Sequence, residues 1–505
     1  MSLRIDPITS GLAATALAVT GLTIAPGSAR AATSPTPAPE ASAAATWLAS
    51  VIGSDGLIPG GGLDGYFYSA NLDFGISLAA TGQAPSAALT KLEAGVDATV
   101  ASWIGDVSDA SNAGKVAKAA YYYAVTGGDP ADAGDEHLDL VSALTADVDD
   151  STGQLGSYES AYNQVWAVMA LHELGNAEAT KARDFLVSER GPASTDGWGY
   201  EYDGWNNDPD ATSWAVKALA PWSSTSSVSS AIAGGVSYLT SVQGTTGGID
   251  AGYLGVNANS TGAAAAAFGA VGETAAAALA ADWVVNHQIV SLPDCGIAPA
   301  NGGAIAYNDD DLAAGVSDDN IATAGPATAQ AIEGLAYLTP TTPAVSAPTG
   351  FVAAGSTISV PVSGLRTGQQ ACLSGGTTAA KVTAPGSVAV TLPAGTATRT
   401  ITLTTVGSTT TAAVKALAAA KLKVAAKSTV KRGRKLKVTV RGLAAGEKVT
   451  VKLGRKAFGT AVADATGKAT LSRKVAKRTT TGRKKITVVG AFANRTGGDR
   501  VKVTR

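Results

Sequence analysis

Residues 196–214 mix aromatic rings with carboxylates and amides, a combination that suits ligand binding. Rings stack on sugar rings or on flat apolar molecules, while neighbouring polar groups fix the orientation of the ligand. Two carboxyl groups at the right separation, drawn from Glu201, Asp203 and Asp210, could instead cleave a glycoside, but a sequence gives no separation. Trp198 could also be a packing residue of the fold. We therefore predict a ligand site made from Trp198, Tyr200, Glu201, Tyr202, Asp203, Trp205, Asp208, Asp210 and Trp214.

The same segment contains a signal for the start of a helix. Asp208 is a suitable N-cap. Pro209 suits the first helical turn, because the N–H group that proline lacks would have no intrahelical acceptor there. Asp210 would then lie at the head of a helix over Pro209–Ala220, with Trp214 one turn further on. This placement makes Asp210 the candidate catalytic acid if the protein is an enzyme.

The elements that position these residues are helical repeats. Short Ala-rich segments recur at 69–80, 111–125, 159–174, 209–220, 259–271 and 320–338. Several are preceded by amphipathic segments, such as 228–243 and 274–288, with apolar residues at helical spacing. Trp166 and Trp214 occupy equivalent positions 48 residues apart, within the range of helical repeats.

One segment carries a specific repeat signature. Gly235-x2-Tyr238-Leu239-x3-Gln243-x3-Gly247-x-Ile249 resembles the repeat of terpenoid cyclases and prenyltransferases, with Ile249 in place of the terminal Trp. Partial copies occur at 181–198 and 283–288. The resemblance implies an all-α (α/α)6 toroid over residues 44–338, and it implies shape rather than chemistry.

A second acidic motif also resembles these enzymes. Asp147-Val148-Asp149-Asp150 matches the D-x-D-D of class II terpenoid cyclases, in which the middle carboxylic acid protonates an alkene or epoxide. Here a Gly-containing loop follows, so we expect the motif to close an outer helix and to face solvent. The positional counterpart is Asp208-Pro209-Asp210-Ala211, which keeps the middle acid and has Ala211 where the last one belongs.

The N-terminus has the features of an export signal. Arg4 precedes an apolar run over 11–24, and Ala29-Arg30-Ala31 offers a cleavage site. We predict a signal peptide over 1–31, a flexible linker over 32–43 and an extracellular protein without a membrane span.

After residue 338 the composition becomes rich in Val, Thr and Ile and broken by Gly and Pro. We predict a Pro/Thr linker over 339–349 and two all-β sandwich modules over 350–415 and 416–505. Val362-Ser-Gly-Leu-Arg-Thr-Gly368 aligns with Val440-Arg-Gly-Leu-Ala-Ala-Gly446, 78 residues later. The pair resembles the tandem Ig-like repeats of bacterial surface proteins.

Charge is divided between the two parts of the chain. Residues 32–338 hold seven Lys and Arg against 36 Asp and Glu, whereas residues 415–505 hold 26 against three. The basic region would bind an anionic cell-wall polymer, or it would dock onto the acidic part and neutralise it. Nucleic acid is disfavoured because the region contains neither Trp nor Tyr for stacking on bases.

The chain has two cysteines, Cys295 and Cys372. In an oxidising compartment they could form a disulfide between the helical part and the first β module, remain as two buried thiols, or pair with cysteines of another chain.

Asp309-Asp310-Asp311 with Asp318-Asp319 could bind Ca²⁺, but their spacing matches no EF-hand loop, so we expect a solvated acidic loop there. We expect no metal and no cofactor.

These observations favour an exported, non-catalytic binding protein whose toroid holds a small molecule or polysaccharide. Two alternatives remain open at this point. One is a terpenoid-cyclase-type enzyme acting through Asp210, and the other is an extracellular polysaccharide lyase or hydrolase on a toroid.

Overall fold

A computed structural model describes residues 38–63, 67–81, 87–192, 196–201 and 205–505. The predicted signal peptide and most of the predicted linker over 32–43 lie outside these residues. Residues 38–338, here called the helical domain, form the α-helices α1 Pro39–Val51, α2 Ser69–Ala80, α3 Ala87–Ile104, α4 Ala113–Thr126, α5 Leu140–Ala146, α6 Ala161–Glu173, α7 Ala179–Ser188, α8 Pro209–Leu219, α9 Ser226–Val242, α10 Ala258–Ala270, α11 Thr274–Asn286, α12 Asp309–Ala314 and α13 Ile321–Ala331. A short hairpin, β1 Gly199–Glu201 with β2 Trp205–Asn207, precedes α8.

Six of the described helices form a closed cycle of contacts. Each of α2, α4, α6, α8, α10 and α13 packs against the next, and α13 packs against α2. Small residues permit this close approach. At Gly262 of α10, an added Cβ would lie 2.5 Å from the Cα of Ala331 on α13. We call these six helices the ring.

A second set of described helices surrounds the ring. Contacts pair α1 with α13, α3 with α2, α5 with α4, α7 with α6, α9 with α8 and α11 with α10. The ring helices are buried on nearly all sides, as at α10, whereas outer helices such as α7 alternate buried and exposed residues. The helical domain therefore consists of helix pairs around one apolar core.

Polar side chains fix the turns that lead into the ring helices. Gln243, the glutamine of the repeat signature, donates to the carbonyl oxygens of Gly247 and Ala276. At Gly247 the backbone has φ +100°, and an added Cβ would lie 2.0 Å from the carbonyl oxygen of Leu279. Only glycine fits such a turn without strain. The signature residues therefore serve the architecture.

The predicted linker over 32–43 is wrong at its C-terminal end, because α1 begins at Pro39. Proline is favoured in the first helical turn, and the alanines that follow bury against α13. Glu40 and Ala41 are buried, so this part of the chain is docked.

The first β region, residues 344–417, contains two sheets. Its strands are β3 Ala344–Val345, β4 Phe351–Ala353, β5 Thr357–Ser363, β6 Ala371–Ser374, β7 Ala380–Val382, β8 Gly386–Thr391, β9 Ala397–Thr405 and β10 Ser408–Leu417. The sheet orders are β4-β10-β9-β6-β7 and β3-β5-β8. Along β5, buried and exposed residues alternate strictly, and the inward residues join one apolar cluster with those of the other sheet.

The second β region, residues 420–505, has the same plan. Its strands are β11 Ala420–Lys421, β12 Lys423–Ala426, β13 Thr429–Lys431, β14 Lys435–Arg441, β15 Lys448–Leu453, β16 Lys456–Val462, β17 Lys468–Lys474, β18 Gly482–Val489 and β19 Arg495–Thr504. One sheet has the order β11-β19-β18-β15-β16, with β13 also on β19, and the other has the order β12-β14-β17. A cluster of Val, Leu and Ile fills the space between them.

Two predicted boundaries differ from the structure. β3 lies inside the predicted linker over 339–349, because Ala344 and Val345 pair with Ser363 and Val362 of β5. β10 continues to Leu417, beyond the predicted end of the first module at 415, since Ala416 and Leu417 are buried and keep their pairing with β4.

The helical domain and the first β region are joined covalently and by a buried ion pair. The sulfur atoms of Cys295 and Cys372 are 2.07 Å apart and form a disulfide. Arg366 forms an ion pair with Glu40 of α1, and both side chains are more than nine-tenths buried. Asp282 of α11 lies 3.5 Å from the same guanidinium group. The two parts are therefore docked rather than loosely linked.

Within the described part of the chain, no helix is both long enough and apolar enough to cross a bilayer.

Candidate ligand-binding site

A cavity of about 280 Å³ lies at the centre of the ring, and every ring helix contributes to its wall. We call it the inner cavity. It combines aromatic rings, amides and charged groups, which is the usual composition of a small-molecule site. Its lining residues are Ser69, Asp73, Trp103, Gly114, Lys115, Lys118, Tyr162, Asn163, Trp166, Asp210, Trp214, Asn259, Ala263 and Gln330.

One side of the inner cavity is a buried polar network. The Lys118 ammonium group lies 2.6 Å from the Asp73 carboxylate, and the two side chains are only 10% and 2% exposed. Gln330 donates to the other oxygen of Asp73 at 2.8 Å and accepts from Asn259. A buried ion pair is tolerated when further hydrogen bonds satisfy its atoms, as they do here.

The adjacent side of the inner cavity is aromatic. Trp166 and Trp214, each the sixth residue of its helix, have ring centroids 5.0 Å apart. The Lys118 ammonium group lies 4.5 Å from the Trp166 ring centroid, and the Lys217 ammonium group lies 4.9 Å from that of Trp214. Lys217 is itself paired with Glu333 at 2.6 Å. Carboxylate-paired cations therefore lie against the rings of this wall, Lys118 at the cavity itself and Lys217 outside the lining.

Asp210 lies where the inner cavity meets a second, wider one, since it lines both. As the sequence predicts, Asp208 caps α8 by accepting from the backbone N–H groups of Asp210 and Ala211. Burial raises the pKa of Asp210 to about 7, the nearby Asp208 carboxylate adds to the rise, and a hydrogen bond from Ser260 opposes it. Near neutral pH this carboxyl group can hold a proton and donate it in a hydrogen bond.

The wider cavity, here called the outer chamber, has a volume of about 1070 Å³ and opens from Asp210 toward solvent. Its wall includes Tyr162, Tyr200, Tyr238 and the loop 250–256. Burial raises the pKa of the Tyr162 phenol, and its hydrogen bond to Asp208 adds to the rise. At the rim, Tyr253 is 91% exposed, which is unusual for a tyrosine with no partner chain present.

The predicted site residues separate into three groups. Asp208, Asp210 and Tyr200 line the outer chamber, and Asp210 and Trp214 line the inner cavity. Tyr202 and Asp203 lie outside the described residues. The remaining three, Trp198, Glu201 and Trp205, line neither cavity.

The prediction that Trp198 contacts the ligand is wrong. This side chain is fully buried, and its indole N–H donates to the carbonyl oxygen of Leu186 at 2.7 Å. Its backbone N–H donates to the Thr212 hydroxyl, just as that of Ile249 donates to the Thr261 hydroxyl in the next repeat. Trp198 is therefore a packing residue of the repeat, because the turn into α8 needs a large apolar side chain there.

Trp205 and Glu201 face each other across the β1–β2 hairpin, away from the cavity walls. The Trp205 indole N–H donates to the Asn207 side chain at 2.6 Å, and the ring packs against Gly191. Glu201 is exposed. Of the acids predicted for glycoside cleavage, Glu201 therefore lies outside both cavities, whereas Asp210 lines them.

In the Asp147–Asp150 motif, Asp149 and Asp150 are exposed, as expected, whereas Asp147 is half-buried. Asp149 accepts hydrogen bonds from the backbone and hydroxyl groups of Ser151 and Thr152, which lower its pKa to about 2. Asp150 is 96% exposed and pairs with Lys181. The middle acid is thus held as a carboxylate in a loop and is not a proton donor.

The residues of the polar network were not predicted from the sequence, namely Asp73, Lys118, Asn259 and Gln330. One signal was present, because Lys115 and Lys118 are two of only seven basic residues in 32–338, and both occur in an Ala-rich ring helix. A charge on a ring helix must face either a partner or the central cavity. Among the described residues, no three His, Cys, Asp or Glu side chains come together as metal ligands would.

The sequence matches no family model and no curated protein. Among solved structures, it is similar to the type II terpene cyclase MstE from Scytonema, at 13% identity and a TM-score of 0.40, over 59% of this chain and 96% of that one. A variant of that enzyme in complex with geranylgeranyl dihydroxybenzoate has the same identity and TM-score, over 59% and 97%. A putative membrane-anchored protein from Corynebacterium diphtheriae is 17% identical, with a TM-score of 0.16, over 30% of this chain and 51% of that one.

Proposed function

We propose that this chain is an exported, non-catalytic binding protein. Its helical domain is an (α/α)6 toroid that holds a small ring-containing molecule or saccharide in the inner cavity. Its two β regions are Ig-like modules, and the second, basic one holds the protein to an anionic cell-wall polymer. The main support for this proposal is the inner cavity, to which all six described ring helices contribute and whose wall combines ring faces, amides and charged groups.

The cavity also favours a class of ligand. Trp103, Trp166 and Trp214 supply aromatic faces, and Asn163 adds an amide. Lys115 is exposed, and its ammonium group donates to the carbonyl oxygen of Trp103, which leaves further donors for a ligand. The ligand that fits is therefore a flat or cyclic molecule that carries an acidic group.

Binding is favoured over hydrolysis because the carboxylates near the cavity are already engaged. Asp73 is bound by Lys118 and Gln330, and Asp208 caps α8. Glycoside hydrolysis needs a second free carboxyl group opposite the first. Among the described lining residues, Asp210 alone remains for that role.

One observation favours a second function, proton-initiated cyclisation of a polyprenyl chain. Asp210 is a buried carboxylic acid with a raised pKa at the head of a ring helix, and it faces an aromatic cavity. Two features weigh against this function. An acid with a pKa of about 7 is a poor proton donor to an alkene, and the ammonium group of Lys115, whose described contact is an uncharged carbonyl oxygen, would repel a carbocation.

In the experiment, the full chain is purified from the culture medium of cells that secrete it and is analysed by native mass spectrometry. We expect a co-purified small molecule or, for the empty protein, binding of the anionic naphthalene dye ANS with quenching of tryptophan fluorescence. Replacing Lys115 with Gln should weaken dye binding more at low salt than at high salt. A dye affinity that is unchanged in this variant at low salt would contradict the assigned ligand class.

A separate incubation tests the cyclase. The full chain is mixed with a linear polyprenyl phenol, and products are separated by liquid chromatography. Cyclic products that form with the parent chain but not with Asp210→Asn would indicate that the protein is a cyclase and would contradict the non-catalytic binding function.

A further inference from the structure

The second β region has a groove of about 540 Å³ at one edge. β16 is the edge strand of the larger sheet and β17 the edge strand of the smaller one, and the two strands contact each other. The groove follows this seam, and the connection 475–481 between β17 and β18 forms one of its walls.

The groove is strongly basic. Among the described residues, no Asp or Glu lines it, whereas six cationic side chains do: Arg455, Lys456, Arg473, Lys474, Arg478 and Lys484. Such a concentration of one charge within a concave surface focuses the electrostatic field on whatever enters it.

The three acids of the second β region are engaged elsewhere. Glu447 is buried in an ion pair with Arg495 at 2.7 Å. Asp464 accepts from the backbone N–H groups of Thr466 and Lys468, and Asp499 accepts from that of Ala426. None of these three carboxylates therefore serves as a counterion in the groove, and no other described Asp or Glu lines it.

Two of the groove cations are held in position by uncharged groups. The Arg473 guanidinium donates to the carbonyl oxygen of Phe458 at 3.0 Å, and the Lys484 ammonium group donates to the Thr480 hydroxyl at 2.6 Å. Neither contact neutralises the charge. Pre-positioned cations lose less conformational freedom when an anion binds.

We propose that this groove binds a linear polymer of sugar- or polyol-phosphate diesters, an inference that rests on the proposed anchoring function and gives it a site. Guanidinium groups match the geometry of phosphate oxygens. Residues 339–505 contain neither Trp nor Tyr, so stacking on nucleobases or neutral sugars is not the means of recognition. A groove between two sheet edges can hold a single extended polymer chain, whereas the flat surface of a bilayer cannot enter it.

The test compares two triple variants of the full chain with matched loss of charge. One removes groove cations, as Arg455→Gln, Lys456→Gln and Arg478→Gln. The control removes Lys421, Lys423 and Lys431 in the same way. These three exposed lysines lie on β11, β12 and β13, away from the β16 and β17 edges.

The probe is a synthetic glycerol-phosphate oligomer immobilised for surface plasmon resonance near physiological salt. We expect the groove variant to lose about tenfold or more in affinity and the control about threefold or less. In the parent protein, the oligomer should also protect Lys456, Lys474 and Lys484 from acetylation, as read by mass spectrometry. This second measurement requires no substitution.

The outcomes separate the groove from the wider function. Equal losses of affinity in the two variants, with no selective protection of the groove lysines, would contradict binding in the groove. Anchoring would then depend on net charge alone. A parent chain that does not bind the oligomer even at low salt would overturn anchoring itself. Tighter binding per phosphate to phosphatidylglycerol vesicles, or to an oligothymidylate strand, would overturn the assignment to a polyol-phosphate polymer.

Discussion

The helical domain and the second β region use charge in opposite ways. In the helical domain, Lys118 and Lys217 are buried, paired with Asp73 and Glu333, and placed against tryptophan rings. In the second β region, the groove cations have no carboxylate partner among the described residues. Paired charges shape a cavity without giving it a strong field, whereas unpaired charges create the field themselves.

The difference suggests two kinds of recognition within one chain. The cavity would select its ligand by shape, ring contact and hydrogen bonds, and its affinity would depend only moderately on salt. The groove would select by charge density, and its affinity would fall steeply as salt rises.

Replacing Lys118 with Met should destabilise the helical domain by about 3–5 kcal/mol, because Asp73 would remain buried without its cation. All eight tryptophans precede residue 339, so the fluorescence of a urea titration reports this domain alone. The matched control is Lys181→Met, which breaks an exposed pair with Asp150 and should cost about 1 kcal/mol or less. Equal effects in the two variants would mean that the buried network does not organise the cavity.

Replacing both Cys295 and Cys372 with Ser should lower stability by about 2–4 kcal/mol, since the bond closes a loop across a sequence separation of 77. We expect the tryptophan transition and the β-sheet transition seen by circular dichroism to separate. The control is the parent protein in reducing agent, which should reproduce the effect. Coincident transitions in the Ser variant would show that the Glu40–Arg366 contact suffices to couple the two parts.

Replacing Trp214 with Ala should weaken ANS binding by about 1–3 kcal/mol, because its ring lines the inner cavity. Trp205→Ala is the matched control, since that ring packs against Gly191 and lines neither cavity. Fluorescence titration of both variants gives the comparison. A larger loss of dye affinity in Trp205→Ala would indicate that the ligand binds at the β1–β2 hairpin instead.

Replacing Asp210 with Asn should change the pH dependence of stability. The parent carboxyl group ionises near its ordinary value of 3.8 when unfolded and at about 7 when folded, so the parent loses stability as pH rises across this interval. Asn does not titrate, and the variant should therefore gain about 1 kcal/mol relative to the parent between pH 5 and 6, which lie inside this interval. Urea titrations at several pH values would reveal a constant difference if Asp210 were not buried in its acid form.

Local signals in the sequence predicted much of the helical domain. The bounds of α2 and α8 follow closely from composition and from the Asp208-Pro209 pair, since capping and proline placement are local effects. The start of α1 at Pro39 was missed because the preceding prolines and alanines also suit a linker. The helical character of this domain was therefore predicted from its repeats. The start of α1 was not predicted, because a linker and the first turn of a helix can share the same composition.

The site was harder to predict because its residues meet only through the ring. Asp73 and Lys118 are 45 residues apart on α2 and α4, and no local rule brings them to 2.6 Å. Trp198 and Trp214 lie in the same aromatic segment, yet one faces the core and the other the cavity. Composition identifies which rings are present, whereas the direction of each ring depends on the register of the turn that precedes it.

The position of the disulfide also determines how the molecule would bear a mechanical load. Tension applied through the second β region reaches Cys372 and passes through the sulfur atoms to Cys295. The intervening chain, which contains the ring helix α13 and the connection to β3, lies outside this path. A pull on the C-terminal end would therefore leave α13 in the ring, and the cavity would keep its shape while the protein is held under strain.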